Sequence, residues 1–194
     1  MPSFADSISN EDVALLPAAR FGGRIFTVDD DRALEEACEY LSEQSVLGFD
    51  TETRPSFKAG AMNKVALLQL STYDRCYLIR LCRVKPVQRL LSILERSDIA
   101  KIGADVAGDI RSLNRVRRFT PRGFIDLQTE VAKFGITDKS LRKMSGIVLG
   151  QRVSKAQRLS NWEAQTLTEQ QQMYAATDAW ICLKIYDALS ASVH

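Results

Sequence analysis

Three short acidic segments, set far apart, carry the residue types that could do chemistry. They are Phe49-Asp50-Thr51-Glu52, Gly108-Asp109 and Tyr174-Ala175-Ala176-Thr177-Asp178. Each puts a carboxylate where the surrounding hydrophobic pattern expects an inward-facing residue. Four carboxylates aimed into one interior repel one another strongly unless cations sit among them. A pair of divalent ions is the simplest way to hold them together, and such a pair serves in-line attack on phosphodiesters. The chemistry that fits is a nuclease's.

The elements that must position these residues can be read locally. Residues 45–53 alternate as a β-strand, with Val46, Gly48, Asp50 and Glu52 on one face and Leu47, Phe49 and Thr51 on the other. Two residues of rise set the Asp50 and Glu52 Cα atoms roughly 7 Å apart on the same side, so both carboxylates can converge on one ion. Alone, Asp-x-Glu is a weak signal, since acidic pairs also decorate exposed strands. From Thr168, an N-cap followed by Glu169, the chain reads as a long helix. Tyr174, Asp178, Ile181, Ile185 and Leu189 form one narrow stripe, with Lys184 and Asp187 opposite. Asp178 thus points inward although outward positions exist, and a buried carboxylate needs a partner, either an arginine or a cation. Tyr174, one turn earlier, can reach whatever Asp178 holds or fill the core as an ordinary buried tyrosine. The run Ile99-Ala100-Lys101-Ile102-Gly103-Ala104 reads as a buried strand. After it, Asp105 reads as the N-cap of a helix that continues to about Val116. Asp109 shares the inner stripe with Val106, Leu113 and Val116, which makes it the functional carboxylate of the two.

Taken together, the segments resemble the three motifs of DEDD-type 3′–5′ exonucleases. Tyr-x-x-x-Asp in the third marks the tyrosine branch, which includes ribonuclease D and Werner-type exonuclease domains. Supporting matches are Lys64-Val65-Ala66-Leu67-Leu68-Gln69-Leu70, Lys101-Ile102-Gly103, Ser160-Asn161-Trp162 and Leu167-Thr168-Glu169-Gln170-Gln171. They fall in the family's order over roughly residues 22–190. The resemblance implies a ribonuclease H-like α/β fold, a mixed five-stranded sheet of order 3-2-1-4-5 flanked by helices. It also implies two divalent cations, Mg²⁺ or Mn²⁺. Asp50, Glu52 and Asp178 would bind the first, Asp50 would bridge to the second, and Asp109 would act at the second, partly through water. Tyr174 would orient the attacking water. One departure is Ile110, where Werner-type domains carry an aromatic wedge.

The whole chain is compatible with that chemistry. Its 194 residues, 45% hydrophobic, suffice for one packed domain. Residues 1–20 read as a loosely held lead-in and 21–194 as a single 3′–5′ exonuclease domain. No stretch approaches a membrane span and no signal-peptide pattern opens the chain, so a cytoplasmic protein without a membrane or an obligate protein partner is expected. The four cysteines lack CxxC spacing and the lone histidine is His194, which argues against zinc. The net charge of +2 hides an asymmetry: residues 1–45 carry 3 basic and 10 acidic side chains, leaving 23 basic and 14 acidic in the rest. Arg111, Arg115, Arg117, Arg118 and Arg122 cluster, as do Lys139, Arg142, Lys143, Arg152, Lys155 and Arg158. Such patches suit phosphate contacts, or simply a solvated surface.

The expected activity is hydrolysis of the 3′-terminal phosphodiester of DNA or RNA. Its substrate is a strand with a free 3′ end, and its products are nucleoside 5′-monophosphates. Arg54 and Lys58, beyond the catalytic strand, and Lys155 and Arg158 would contact phosphate, and Phe57 would stack on the terminal base. Trp162 reads as a packing residue. Two other classes compete: a non-cleaving nucleic-acid-binding module on an exonuclease fold, and a phosphatase for small molecules. Intact acidic motifs argue against the first, because a pure binder gains nothing from carboxylates near phosphate. The basic surface argues against the second.

Overall fold

The computed structural model describes residues 4–55 and 63–192. At the centre of its sheet, β2 (Val46–Thr53) packs Leu47 and Phe49 into one apolar layer and turns Gly48, Asp50 and Glu52 to the opposite face. It pairs antiparallel with β3 (Val65–Ser71) and parallel with β5 (Ala100–Gly103). All seven residues of β3 are buried, as its nearly continuous apolar run requires of a strand covered on both faces. β4 (Arg75–Ile79) extends the antiparallel run beyond β3, and β6 (Phe124–Asp126) lies parallel to β5.

The sheet has six strands in the order β1-β4-β3-β2-β5-β6, not five in the order 3-2-1-4-5. The addition is β1 (Arg24–Val28), which the five-strand order does not include. It pairs parallel with β4 along all five of its residues. Without it β4 would leave a row of backbone donors and acceptors unpaired at the sheet edge. Side chains hold it there: Phe26 stacks on Tyr77 at 5.0 Å, and the Arg24 guanidinium lies 5.1 Å from the Phe26 ring centre.

Helices cover both faces. On the Phe49 side lie α2 (Asp31–Ser42), α3 (Gln88–Glu95) and α4 (Val106–Val116). On the Asp50 side α7 (Glu169–Ala191) crosses the strands, flanked by α5 (Leu127–Ala132) and α6 (Leu141–Leu149). α7 starts at a capping box in which Thr168 and Gln171 satisfy each other's backbone N–H groups. Its burial is wider than a single stripe. Residues 175–179 are all buried, because strands lie beneath them and Phe21, Trp162 and Leu167 pack with Ala175 and Ala176. Ala175, Ala176 and Ala179 are small enough to permit that close bed.

Residues 4–20 dock on the rest of the chain through one short helix and a few hydrogen bonds. α1 (Asn10–Leu15), capped by Ser9, buries Val13 against α6. The Ile8 N–H donates to Asp138 at 3.0 Å, and Ala18 bridges to Arg152. Among the described residues, no helix is long and apolar enough to cross a membrane.

Candidate active site

The site begins with a missing side chain. A Cβ on Gly48 would lie 2.0 Å from the carbonyl oxygen of Ala179, so the backbone of α7 rests directly on β2. That approach brings Asp178 to Asp50, two residues along the strand on the same face. One carboxylate oxygen from each of Asp50, Glu52 and Asp178 falls within 4.8 Å of the others. Among the described residues, none of the three forms a salt bridge with lysine or arginine. The arginine partner that would make Asp178 purely structural is therefore absent from that set. Asp178 Oδ1 is buried and lacks any hydrogen-bond partner. An orphaned acceptor beside two more carboxylates is what a hard cation with oxygen ligands would satisfy. The donor set fits a divalent ion.

Asp109 comes from the other side of the sheet. It sits in the first turn of α4, and its Oδ1 accepts the Thr51 hydroxyl at 2.6 Å. Thr51 points away from Asp50 and Glu52, so the fourth carboxylate approaches from the opposite face and stands outside the three-residue group. Its charge still reaches Asp50 and Glu52. The Asp105 side chain does not cap α4. It occupies the position before the helix in the left-handed region, φ 58°, and the cap is supplied by Asp126, whose carboxylate accepts the Val106 N–H at 3.0 Å.

Electrostatics registers the crowding. Burial, then the charges of Asp178, Asp109 and Glu52, hold Asp50 well above the usual carboxylate range, against a hydrogen bond from the Thr51 backbone. Burial and the charges of Asp178 and Asp109 push Glu52 up to about 9. Asp178 rises to about 8 through burial, partly offset by the Tyr174 hydroxyl. Asp109 rises to about 7, mainly by burial, with the Thr51 hydroxyl opposing and the charges of Asp105 and Asp126 adding. Burial, followed by the charges of Asp178, Glu52 and Asp50, drives the Tyr174 phenol above its ordinary range. Tyr174 therefore stays protonated at neutral pH and offers a hydrogen-bond donor.

A model of the 3′-5′ exonuclease family matches residues 25–194. The chain belongs to this 3′–5′ exonuclease family. Its motif order places it among the DEDD-type members of the tyrosine branch. The bifunctional 3′-5′ exonuclease/ATP-dependent helicase WRN of Mus musculus is 35% identical over 185 residues, covering 90% of this chain and 13% of that protein. Exonuclease 3′-5′ domain-containing protein 2 of Drosophila melanogaster is 35% identical over 160 residues, 80% of this chain and 27% of that one. The chain thus spans well under two thirds of these relatives. Among solved structures, Escherichia coli RNase D superposes with a TM-score of 0.74 at 26% identity, over 86% of this chain and 45% of that one. The Aedes aegypti Nibbler EXO domain shares the fold, with a TM-score of 0.80 at 24% identity over 87% and 88% of the two chains.

Within this exonuclease-family chain, the other expected site residues sit as follows. Arg54 is engaged with Glu163 at 3.2 Å rather than free at the mouth of the site. Phe57 and Lys58 lie outside the described residues. Lys155 and Arg158 are exposed on the irregular stretch between α6 and α7 and form no salt bridge among the described residues. Trp162 is fully buried, its ring 6.0 Å from that of Tyr174, so it supports the tyrosine from beneath.

Sequence reading missed two contributors. Thr51 anchors Asp109, and its only signal was a hydroxyl on the far face of the catalytic strand. Gln69 pairs with Asp50 across β2 and β3, is fully buried, and has neither amide atom hydrogen-bonded. A lone polar residue inside the apolar run of β3 was its signal.

Proposed function

We propose that this protein is a 3′–5′ exonuclease that hydrolyses the 3′-terminal phosphodiester of DNA or RNA and releases nucleoside 5′-monophosphates. The observation that carries the proposal is the cluster of Asp50, Glu52 and Asp178, unpaired with any described cation, in a chain of this family. Asp50, Glu52 and Asp178 would hold one divalent ion, and Asp109 with Asp50 a second; all-oxygen ligands favour Mg²⁺ or Mn²⁺. Bound there, the ions would lower the pKa of water and stabilise charge on the departing 3′ oxygen.

The chain's own residues do the positioning. Tyr174, held protonated, orients the attacking water by a hydrogen bond and does not act as a base. Thr51 fixes the rotamer of Asp109. Gly48 sets how far Asp178 stands from Asp50, and Trp162 keeps the Tyr174 ring in place. Similarity supports the same reading: the mouse relative is described as a 3′-5′ exonuclease and the E. coli structure as an exoribonuclease. Both descriptions support a nucleic-acid strand shortened from its 3′ end as the substrate, with DNA and RNA both to be tested.

Purified protein with 5′-labelled single-stranded DNA and RNA tests this directly. Stepwise shortening in Mg²⁺ or Mn²⁺, abolished by EDTA, is the expected result. Cleavage of a circular single strand would refute an exonuclease.

A further inference from the structure

A groove of about 650 Å³ opens beside the carboxylate cluster and runs along the N-terminal half of α7. Tyr174 and Asp178 line its inner end, and Glu169 marks its outer one. Nine residues of helix separate Asp178 from Glu169, or about 13 Å at 1.5 Å per residue. The floor includes Ile25 and Met173. One wall is the stretch before α7, through Ala156. The other wall is the segment joining α1 to β1, where Arg20 projects.

Arg20 is exposed and forms no hydrogen bond or salt bridge among the described residues. The wall that carries it is fixed in place. The Ala19 N–H donates to Arg152 O at 2.9 Å, and the Phe21 N–H donates to the Thr177 hydroxyl at 3.1 Å. Lys155 adjoins Ala156 in the chain and Arg158 adjoins Gln157, and both are exposed beside the opposite wall. An apolar floor between cationic rims, continuous with a phosphodiesterase cluster, suits bases below and phosphates above.

We infer that this groove seats the substrate strand on the 5′ side of the scissile phosphodiester, with Arg20 contacting a backbone phosphate. The inference rests on the exonuclease reading and extends it to a segment outside the family match, which begins at residue 25. Length decides which part of the strand is meant. The groove is longer than one nucleotide, and past the cut on the 3′ side only one nucleotide remains. Only the 5′ portion continues far enough to fill it.

The test compares wild type, Arg20→Ala and Ala156→Trp on single-stranded DNA and RNA decamers and on a dinucleotide. Arg89→Ala serves as a control, since Arg89 pairs with Glu35 on the opposite side of the sheet. Arg20→Ala should raise the decamer KM about tenfold, the scale of one charge-assisted phosphate contact, with kcat held. The salt dependence of decamer binding, measured by fluorescence anisotropy in EDTA, should lose about one unit of slope. Ala156→Trp should raise the decamer KM by obstruction, and neither variant should change dinucleotide cleavage. If wild type shortens the decamer but Arg20→Ala matches it in KM and salt slope, the groove assignment is wrong. Equal effects on dinucleotide and decamer would likewise overturn it. If wild type cleaves neither substrate, the exonuclease reading itself fails, whatever the variants do.

Discussion

Single side chains make the sharpest distinctions at this site. Tyr174→Phe keeps the ring that packs on Trp162 and removes only the hydroxyl that faces the carboxylates. We expect turnover to fall by about one to three orders of magnitude, with melting almost unchanged. Steady-state kinetics beside a thermal melt reads both, and undiminished turnover would make Tyr174 a packing residue. Asp50→Asn separates a cation cage from a structural acidic network. Asp50 feels the charges of Asp178, Asp109 and Glu52, so its neutralisation relieves repulsion in the metal-free protein. The variant should melt at or above the wild-type temperature in EDTA, lose cleavage, and lose most of the Mg²⁺-induced rise. A marked fall in EDTA would show that Asp50 instead supports a buried cation.

At the scale of elements, the contact of α7 with β2 decides the geometry. Gly48→Ala would put a methyl group 2.0 Å from a backbone oxygen of the helix, which no side-chain rotamer can relieve. α7 must lift or β2 must bend, at a cost of about 3 kcal/mol, or roughly 6–12 °C in Tm for a chain of this size. Because Asp178 rides on α7, a displacement near 1 Å should also cut activity about a hundredfold. Calorimetry with single-turnover kinetics checks this, and an unaffected variant would mean that the helix is not seated as described. The elements that carry the carboxylates were legible in the chain, because strand alternation and helical stripes are local signals. The Asp50–Glu52 pair followed from a period of two, and the start of α7 from Thr168 followed by Glu169. The edge position of β1 was not legible, since it depends on β4 presenting an unpaired edge. Nor was the width of burial on α7, where alanines pack on several sides.

Over the whole molecule, proton uptake and cation binding are linked. Carboxylates ordinarily titrate near pH 4, whereas Asp109, Asp178 and Glu52 are held near 7, 8 and 9 in the metal-free fold. Between those limits the folded protein binds more protons than the unfolded chain, so its stability declines as pH rises. The contribution is complete below about pH 4 and is lost as pH passes through these raised values. Buried Lys101, lowered to about 8, acts in the opposite sense above that pH. We therefore expect the melting temperature in EDTA to fall between pH 6 and pH 8. The increment from Mg²⁺ should grow over the same range, because cations must displace those protons. Calorimetry at several pH values measures both, and a flat metal-free profile would count against a repelling cluster. In Asp50→Asn the slope should be shallower.

The identity of the carboxylates, their pairing on one strand face and the family they mark were all set by the order of residues along the chain. Such features depend on spacing within a strand or a helical turn, and those distances are nearly the same in every fold. Contacts between distant residues were decided by tertiary structure alone. The Thr51 hydroxyl on Asp109, the engagement of Arg54 by Glu163 and the docking of residues 4–20 join positions 58, 109 and more than 120 apart in sequence. Local periodicity carries no signal for such pairs. They arise only once helices and connecting segments have packed on the sheet and brought the partners within reach.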